Sequence, residues 1–204
     1  MARRLGALIL LAACSALALA GASSAKRPGG SGGFTLVESA TLVHPGNDSP
    51  TGAEASSTGP DPFTWGAVDL AIPATLKLRQ LTWLSSDYKL VVGSCWGGSP
   101  RFEAWVTNGT SNRKIFFYLG PPPSYTGCAS GAYTSSGNLA TPTSPVDASQ
   151  LGGSYDEPFS QVQASYGDYA VTHVYLDVDG GWYSNQTVDF DNTRVNRQLT
   201  SYER

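Results

Sequence analysis

Apolar residues in this chain recur at every second position and seldom at helical spacing, the alternation a β-strand needs when one of its faces is buried. The pattern predicts strands over 34–43, 65–71, 75–84, 88–92, Arg101–Thr107, 114–119, Ala170–Val178 and 187–195. Between them lie stretches rich in Gly, Pro, Ser and Thr, with 23 glycines and 13 prolines in all, the chemistry of turns and surface connections. One of these, 46–62, reads as a long surface loop. One segment favours a helix: Asp156 is a capping residue, Pro158 falls near the first turn, Phe159, Val162 and Tyr166 share a face, and Gly167 supplies a stop. About eight strands, several joined by long connections and not by tight hairpins, define an all-β fold. The expectation is a two-sheet antiparallel β-sandwich of jelly-roll type with one short helix.

The N-terminal residues stand apart from this pattern. Arg3 and Arg4 precede an unbroken apolar run over 5–20, and Ala18, Ala20, Ser23 and Ala25 offer small residues for cleavage, which together read as an export signal over 1–25. Residues 26–33 follow as a flexible Gly-rich leader, and 34–204 as one β-sandwich domain. An alternative uses Leu11-Ala12-Ala13-Cys14 as a lipoprotein box with Cys14 acylated, but the chain stays apolar after Cys14 where such proteins turn polar. No later stretch is long and apolar enough to span a bilayer, so the mature chain is expected to be secreted or held at the cell surface. Removing Cys14 leaves Cys95 and Cys128, an even pair in a chain bound for an oxidising compartment, and a disulfide between them is the expectation. It would close a loop of roughly thirty residues and stabilise the fold by about 3–4 kcal/mol.

Charge narrows the partners. The full chain has 13 basic and 16 acidic residues, for a formal net charge of −3, and it loses Arg3 and Arg4 with the signal. A weakly acidic chain with no basic run is unsuited to nucleic acid or to an anionic membrane.

Parity is more informative about function. In Arg101–Thr107, Phe102, Ala104 and Val106 share one face, which leaves Arg101, Glu103 and Trp105 on the other. In 114–119, Ile115, Phe117 and Leu119 go inward and Lys114, Phe116 and Tyr118 outward. In Ala170–Val178, Val174, Leu176 and Val178 are the expected core, with Val171, His173, Tyr175 and Asp177 opposite. If these strands share a sheet, one outer face carries Trp105, Phe116, Tyr118, His173 and Tyr175 among charged groups. Rings among polar donors suit a sugar, whose C–H faces stack on aromatics while its hydroxyls find hydrogen bonds. The competing expectation is that residues 120–169 fold over this face and turn the rings into a second, smaller core.

The ending Asp177-Val178-Asp179-Gly180-Gly181-Trp182, followed by Gln186-Thr187-Val188-Asp189-Phe190-Asp191-Asn192-Thr193-Arg194-Val195, resembles the last strands of jelly-roll carbohydrate-binding modules. It is also similar to the endings of uncharacterised exported bacterial β-sandwich proteins. The resemblance covers under a tenth of the chain and implies architecture more than activity. The sequence departs from the module pattern at Thr193, where an apolar residue is usual. Val188 and Phe190 also have the opposite parity to Val195, which a bulge near Asp191 and Asn192 would repair. The resemblance further implies a structural calcium ion held between first and last strands, with Glu38, Asp189 and Asp191 as candidates, though calcium needs several more oxygens. Asp177-x-Asp179-Gly180 is a second candidate, lacking the rest of an EF-hand loop. No other cofactor is expected.

Catalytic arrangements do not assemble. Gly93-Ser94-Cys95-Trp96 matches the core of the papain signature, but Gly97-Gly98-Ser99-Pro100 would break the helix that a reactive thiolate requires. The only histidines are His44 and His173, and no nucleophile elbow, zinc-protease motif or phosphate loop is present. A glycoside hydrolase needs two facing carboxylates, for which Glu103 and Asp177 are the only pair suggested by parity. Asn108-Gly109 between two strands reads as a hairpin turn. The sequence therefore points to an exported non-catalytic module that binds an extracellular polysaccharide through the aromatic face. The alternatives are a structural or adhesive surface protein without a small ligand and, third, a glycosidase.

Overall fold

The computed structural model describes residues 31–59, 64–96, 98–179 and 185–203. The expected export signal, Cys14, the first part of the leader and Trp182 lie outside the described residues. Along the chain run β1 (Ser31–Gly32), β2 (Phe34–Glu38), β3 (Thr41–Val43), β4 (Gly52–Ser57), β5 (Gly66–Leu70), β6 (Leu84–Val92) and β7 (Arg101–Thr107). There follow β8 (Asn112–Tyr118), β9 (Thr134–Ser135), β10 (Pro145–Val146), β11 (Glu157–Pro158), α1 (Phe159–Tyr166), β12 (Ala170–Val178), β13 (Gln186–Val195) and β14 (Gln198–Thr200).

The long strands form two antiparallel sheets. One has the order β4-β13-β6-β9, widened by β3 beside β4 and by β14 and β1 along the far half of β13. The other has the order β5-β12-β7-β8, widened by β2 beside β5. Strands adjacent in the chain go to opposite sheets in turn, β4 with β5, β6 with β7, and β12 with β13, which is the winding of a jelly roll. Alternation drives it: Phe102, Ala104, Val106, Ile115, Val174, Leu176, Val188 and Phe190 are fully buried between the sheets. Several such side chains at about 1.5–3 kcal/mol each account for the adhesion of the two layers.

Four expectations need correction. Residues 34–43 are not one strand: the chain leaves β2 in one sheet at Glu38, turns at Ser39 and Ala40, and enters β3 in the other. Residues 46–62 are not a surface loop throughout, because β4 lies within them next to the central β13, with Ala53 and Ala55 fully buried. Residues 75–84 do not form a strand. Leu76, Leu78 and Leu81 are buried, but they sit around a single 3₁₀ turn at Leu78–Gln80, and the strand that follows starts at Leu84. Val171 points into the core and not outward, because β12 shifts register against β7 between Val171 and His173.

Other local readings hold. Asn192 adopts a positive φ of 48°, and β13 shifts register against β6 between Asp191 and Arg194, so both Phe190 and Val195 reach the core. The polar Thr193 is tolerated there because the Tyr202 hydroxyl donates to it at 2.7 Å and Ser86 Oγ lies 2.8 Å away. The helix is present at Phe159–Tyr166 with Phe159 and Val162 buried, although Pro158 and not Asp156 takes its cap position. At the β7–β8 turn Gly109 has φ 92°, while Asn108 Oδ1 accepts from the backbone N–H of Thr110 and Ser111. Ser31 and Gly32, expected within a flexible leader, instead form β1 and pair in parallel with β14.

Candidate functional site

The outer face of the five-stranded sheet collects side chains from four neighbouring strands. Register sets His173 beside Trp105 and Trp105 beside Lys114; Tyr175 lies between Asp69 and Glu103, and Glu103 beside Phe116. One rung further, Asp177 pairs with Arg101 and Arg101 with Tyr118. The rings of Trp105, His173 and Tyr175 form one cluster: His173 and Tyr175 stack at 5.3 Å, and Trp105 meets them edge-on at 5.8 and 5.6 Å. All three are half-buried, and 43% of the His173 side chain is exposed. Its Nδ1 lies 3.2 Å from Asp69 Oδ2 and 3.4 Å from the Tyr175 hydroxyl.

Beneath and beside the rings runs an ion network. Arg101 donates to Glu103 Oε1 and, with two nitrogens at 2.5 and 2.6 Å, to both oxygens of Asp179. Glu103 Oε2 accepts from Lys114 Nζ at 2.8 Å and from the Trp105 indole N–H at 3.1 Å. Lys114 also stands over the Trp105 ring at 4.7 Å, and the Arg101 guanidinium over the Phe116 ring at 4.8 Å. Each indole or phenyl ring is thus pinned by a cation that is itself pinned by a carboxylate.

Burial disfavours the Arg101 charge, yet Asp177, Asp179 and Glu103 outweigh it and hold the guanidinium more firmly protonated than usual. Burial also works against the Glu103 carboxylate, but Arg101 and Lys114 keep its pKa below the ordinary value. Asp177 goes the other way: it is 3% exposed, and desolvation raises its pKa well above 3.8 in spite of Arg101. Its Oδ2 lies 3.2 Å from Arg101 Nη2, within ion-pair range but with no hydrogen-bond donor aligned on it.

Three of the five expected ring residues therefore sit at the uncovered end of the face, Phe116 is half-buried at its border, and Tyr118 is covered. Tyr118 is 8% exposed. Tyr125 and Tyr155 pack on it at 4.7 and 5.6 Å, and its hydroxyl donates to Asp147 at 2.8 Å. Burial and that bond push its pKa up. Phe116, stacked on Tyr118, exchanges two backbone hydrogen bonds with Asp147. Residues 120–169 thus cover one end of the face and leave the Trp105, His173 and Tyr175 end uncovered. The same parity that selected the rings also placed Arg101, Glu103 and Lys114 there. Asp69 was missed, since nothing in the sequence shows that β5 neighbours β12.

The expected calcium ligands do not converge. Glu38 is exposed at the end of β2 in one sheet, while Asp189 and Asp191 belong to β13 in the other. Asp189 pairs with Lys89 at 2.6 Å, and Asp191 accepts from Asn47 and Ser49. Among the described residues, the carboxylates that cluster within 4.8 Å are Glu103, Asp177 and Asp179. Arg101 lies among these three and supplies the positive charge that an ion would bring. Cys95 and Cys128 form the expected disulfide, with Cα atoms 5.3 Å apart. Compared with protein-family models, curated proteins and solved structures, the chain finds no match.

Proposed function

We propose that this chain is an exported, non-catalytic module that binds an uncharged extracellular glycan on the outer face of the five-stranded sheet. The observation that carries the reading is the Trp105, His173 and Tyr175 cluster, half open to water and bordered by Lys114 and Asp69. Trp105 stands edge-on to the stacked His173 and Tyr175, so a sugar would meet ring rims and polar tips and not one flat platform. The hydroxyls would be met by Tyr175, His173 and Asp69. A neutral sugar is favoured because both cations of the face already serve carboxylates, Arg101 three of them and Lys114 one. The same pairing supports a binding role over glycosidic cleavage, since both oxygens of Glu103 are engaged and Asp177 lies buried under Arg101. The disulfide fits an oxidising destination, and no helix among the described residues is long and apolar enough to cross a membrane.

Titration against a panel of neutral and uronate-containing polysaccharides tests the reading. A neutral member should bind, and Trp105→Ala with Tyr175→Ala should weaken that binding tenfold or more, about 1.4 kcal/mol. Unchanged affinity in the double variant would remove this face as the site. A second reading, an adhesive protein contact, has its own support in Val91, Val92 and Trp96, exposed by 42–48% around the end of β6. It is distinguished by self-association that Val91→Ser with Val92→Ser abolishes and the ring variants leave intact.

A further inference from the structure

A cavity lies between β8 of one sheet and β6 and β9 of the other. Tyr88, from the inner face of β6, and Phe117, from the inner face of β8, line it together with residues of the 120–145 segment. Its volume is about 330 Å³, and Leu119, Tyr125, Leu139 and the sulfur-bearing Cys128 are also in the lining. That volume is at the small end for a ligand pocket, roughly two fused rings or one substituted ring.

Its wall chemistry is distinctive. No charged side chain lines it; prolines, tyrosines and leucines do, with Ser135, Ser136 and Ser144 at the side. Two of the serines are occupied within the chain: Ser136 Oγ accepts from the Ser86 N–H and donates to Gly137, and Ser144 Oγ bonds to Thr141; the third, Ser135, is exposed to water and accepts from the Gly137 N–H at 3.4 Å. The Tyr118 and Tyr125 hydroxyls are also committed, to Asp147 and Asp156 at 2.8 and 2.6 Å. The Tyr88 hydroxyl differs. Its acceptors are the Leu119 carbonyl at 3.4 Å, well beyond the roughly 2.7–2.8 Å at which a hydroxyl donor settles on oxygen, and Cys128 Sγ at 3.5 Å, an ordinary distance to sulfur but a weak acceptor. Both acceptors are pocket-lining residues, so this under-used donor lies at the wall, in a ring that is only 6% exposed.

We infer that this cavity is a binding site for an uncharged, ring-containing small molecule that presents one hydrogen-bond acceptor to Tyr88. An anion finds no cation in the lining and a cation no carboxylate, so either would lose its hydration without compensation. A neutral ring loses little water and gains contact with Phe117, Leu119, Leu139 and the tyrosines. Its acceptor oxygen replaces the long and weak contacts of the Tyr88 hydroxyl with one of normal length.

The test uses the disulfide-bonded protein and three probes of equal ring size: 2-acetylnaphthalene, naphthalene and 2-naphthoate, followed by ligand-observed NMR titration. 2-Acetylnaphthalene should bind saturably at one site, naphthalene about five- to tenfold more weakly, and 2-naphthoate more weakly still. Tyr88→Phe should bring 2-acetylnaphthalene down to the naphthalene level and leave naphthalene unchanged. Ala129→Trp, at an exposed lining position, should block both neutral probes while circular dichroism and polysaccharide binding stay as in the parent. Absence of saturable binding by the neutral probes, equal binding of the naphthoate, or binding indifferent to Ala129→Trp would each overturn the assignment.

Discussion

Asp177 and Glu103 are two carboxyl groups on one sheet face, both within reach of Arg101, and they respond to the fold in opposite directions. For Asp177 the pKa is raised by burial, so the folded state keeps a proton that the unfolded chain has released above its ordinary 3.8. Its contribution to stability is complete below that value and is lost as pH rises through the folded pKa. For Glu103 the pKa is lowered, so its contribution is complete above the ordinary 4.5 and is lost as pH falls through the folded pKa. Asp177→Asn keeps the shape and removes the titration. Compared with the parent in urea unfolding at a series of pH values, the variant should gain relative stability from about pH 4 upward. A difference that stays flat across that range would mean Asp177 does not titrate as its burial dictates. Glu103→Gln should show the reverse trend in a lower window, losing ground to the parent as pH rises toward 4.5 and no further above it. At this scale the sequence was a fair guide to which residues meet, because parity along β7, β8 and β12 decides it. It gave no sign that a single arginine would bind three carboxylates, since Asp179 lies outside those strands.

At the level of elements, what was legible followed from side-chain shape. Strands β7 and β12 are dense in branched and aromatic residues, and their bounds, Arg101–Thr107 and Ala170–Val178, are those the alternation marks. Strand β4 was illegible because Gly-Ala-Glu-Ala-Ser-Ser lacks such residues. Its small side chains answer a tight fit: a Cβ on Gly52 would come within 2.7 Å of the Phe190 carbonyl oxygen. The 75–84 segment misled for the opposite reason, since Leu76 and Leu78 have strand parity but are buried around a 3₁₀ turn. The bulge in β13 was legible as a conflict between the parities of Phe190 and Val195. Its hinge, Asn192, adopts a left-handed conformation that a β-carbon resists. The Asn192 amide also donates to Asp87 at 2.8 Å. Asn192→Ala and Asn192→Gly both lose that bond, and only alanine adds backbone strain. Thermal unfolding should therefore rank alanine below glycine by about 1 kcal/mol. Equal stability of the two would show that the bond and not the backbone explains the asparagine.

For the whole molecule, the disulfide reinforces a junction that the sheet makes through the two-residue β9 beside β6. Cys95 follows β6, whereas Cys128 lies in the 120–145 segment, whose regular structure among the described residues is limited to short strands. The bridge closes a loop of 33 residues, which the chain-entropy account values at about 3–4 kcal/mol. Replacing both cysteines by alanine should lower the melting temperature by on the order of 10 °C. A change of a degree or two would mean that the segment is held by its tyrosine contacts and its hydrogen bonds to β6 without help from the bridge. The bridge also decides where the molecule is vulnerable. Around it, residues 121–124 and 129–132 are exposed, whereas the long strands on either side are hydrogen-bonded into the sheets. To a digestive enzyme in a reducing medium, this stretch is the accessible hinge, and the first nick should fall there while both layers of the sandwich remain associated.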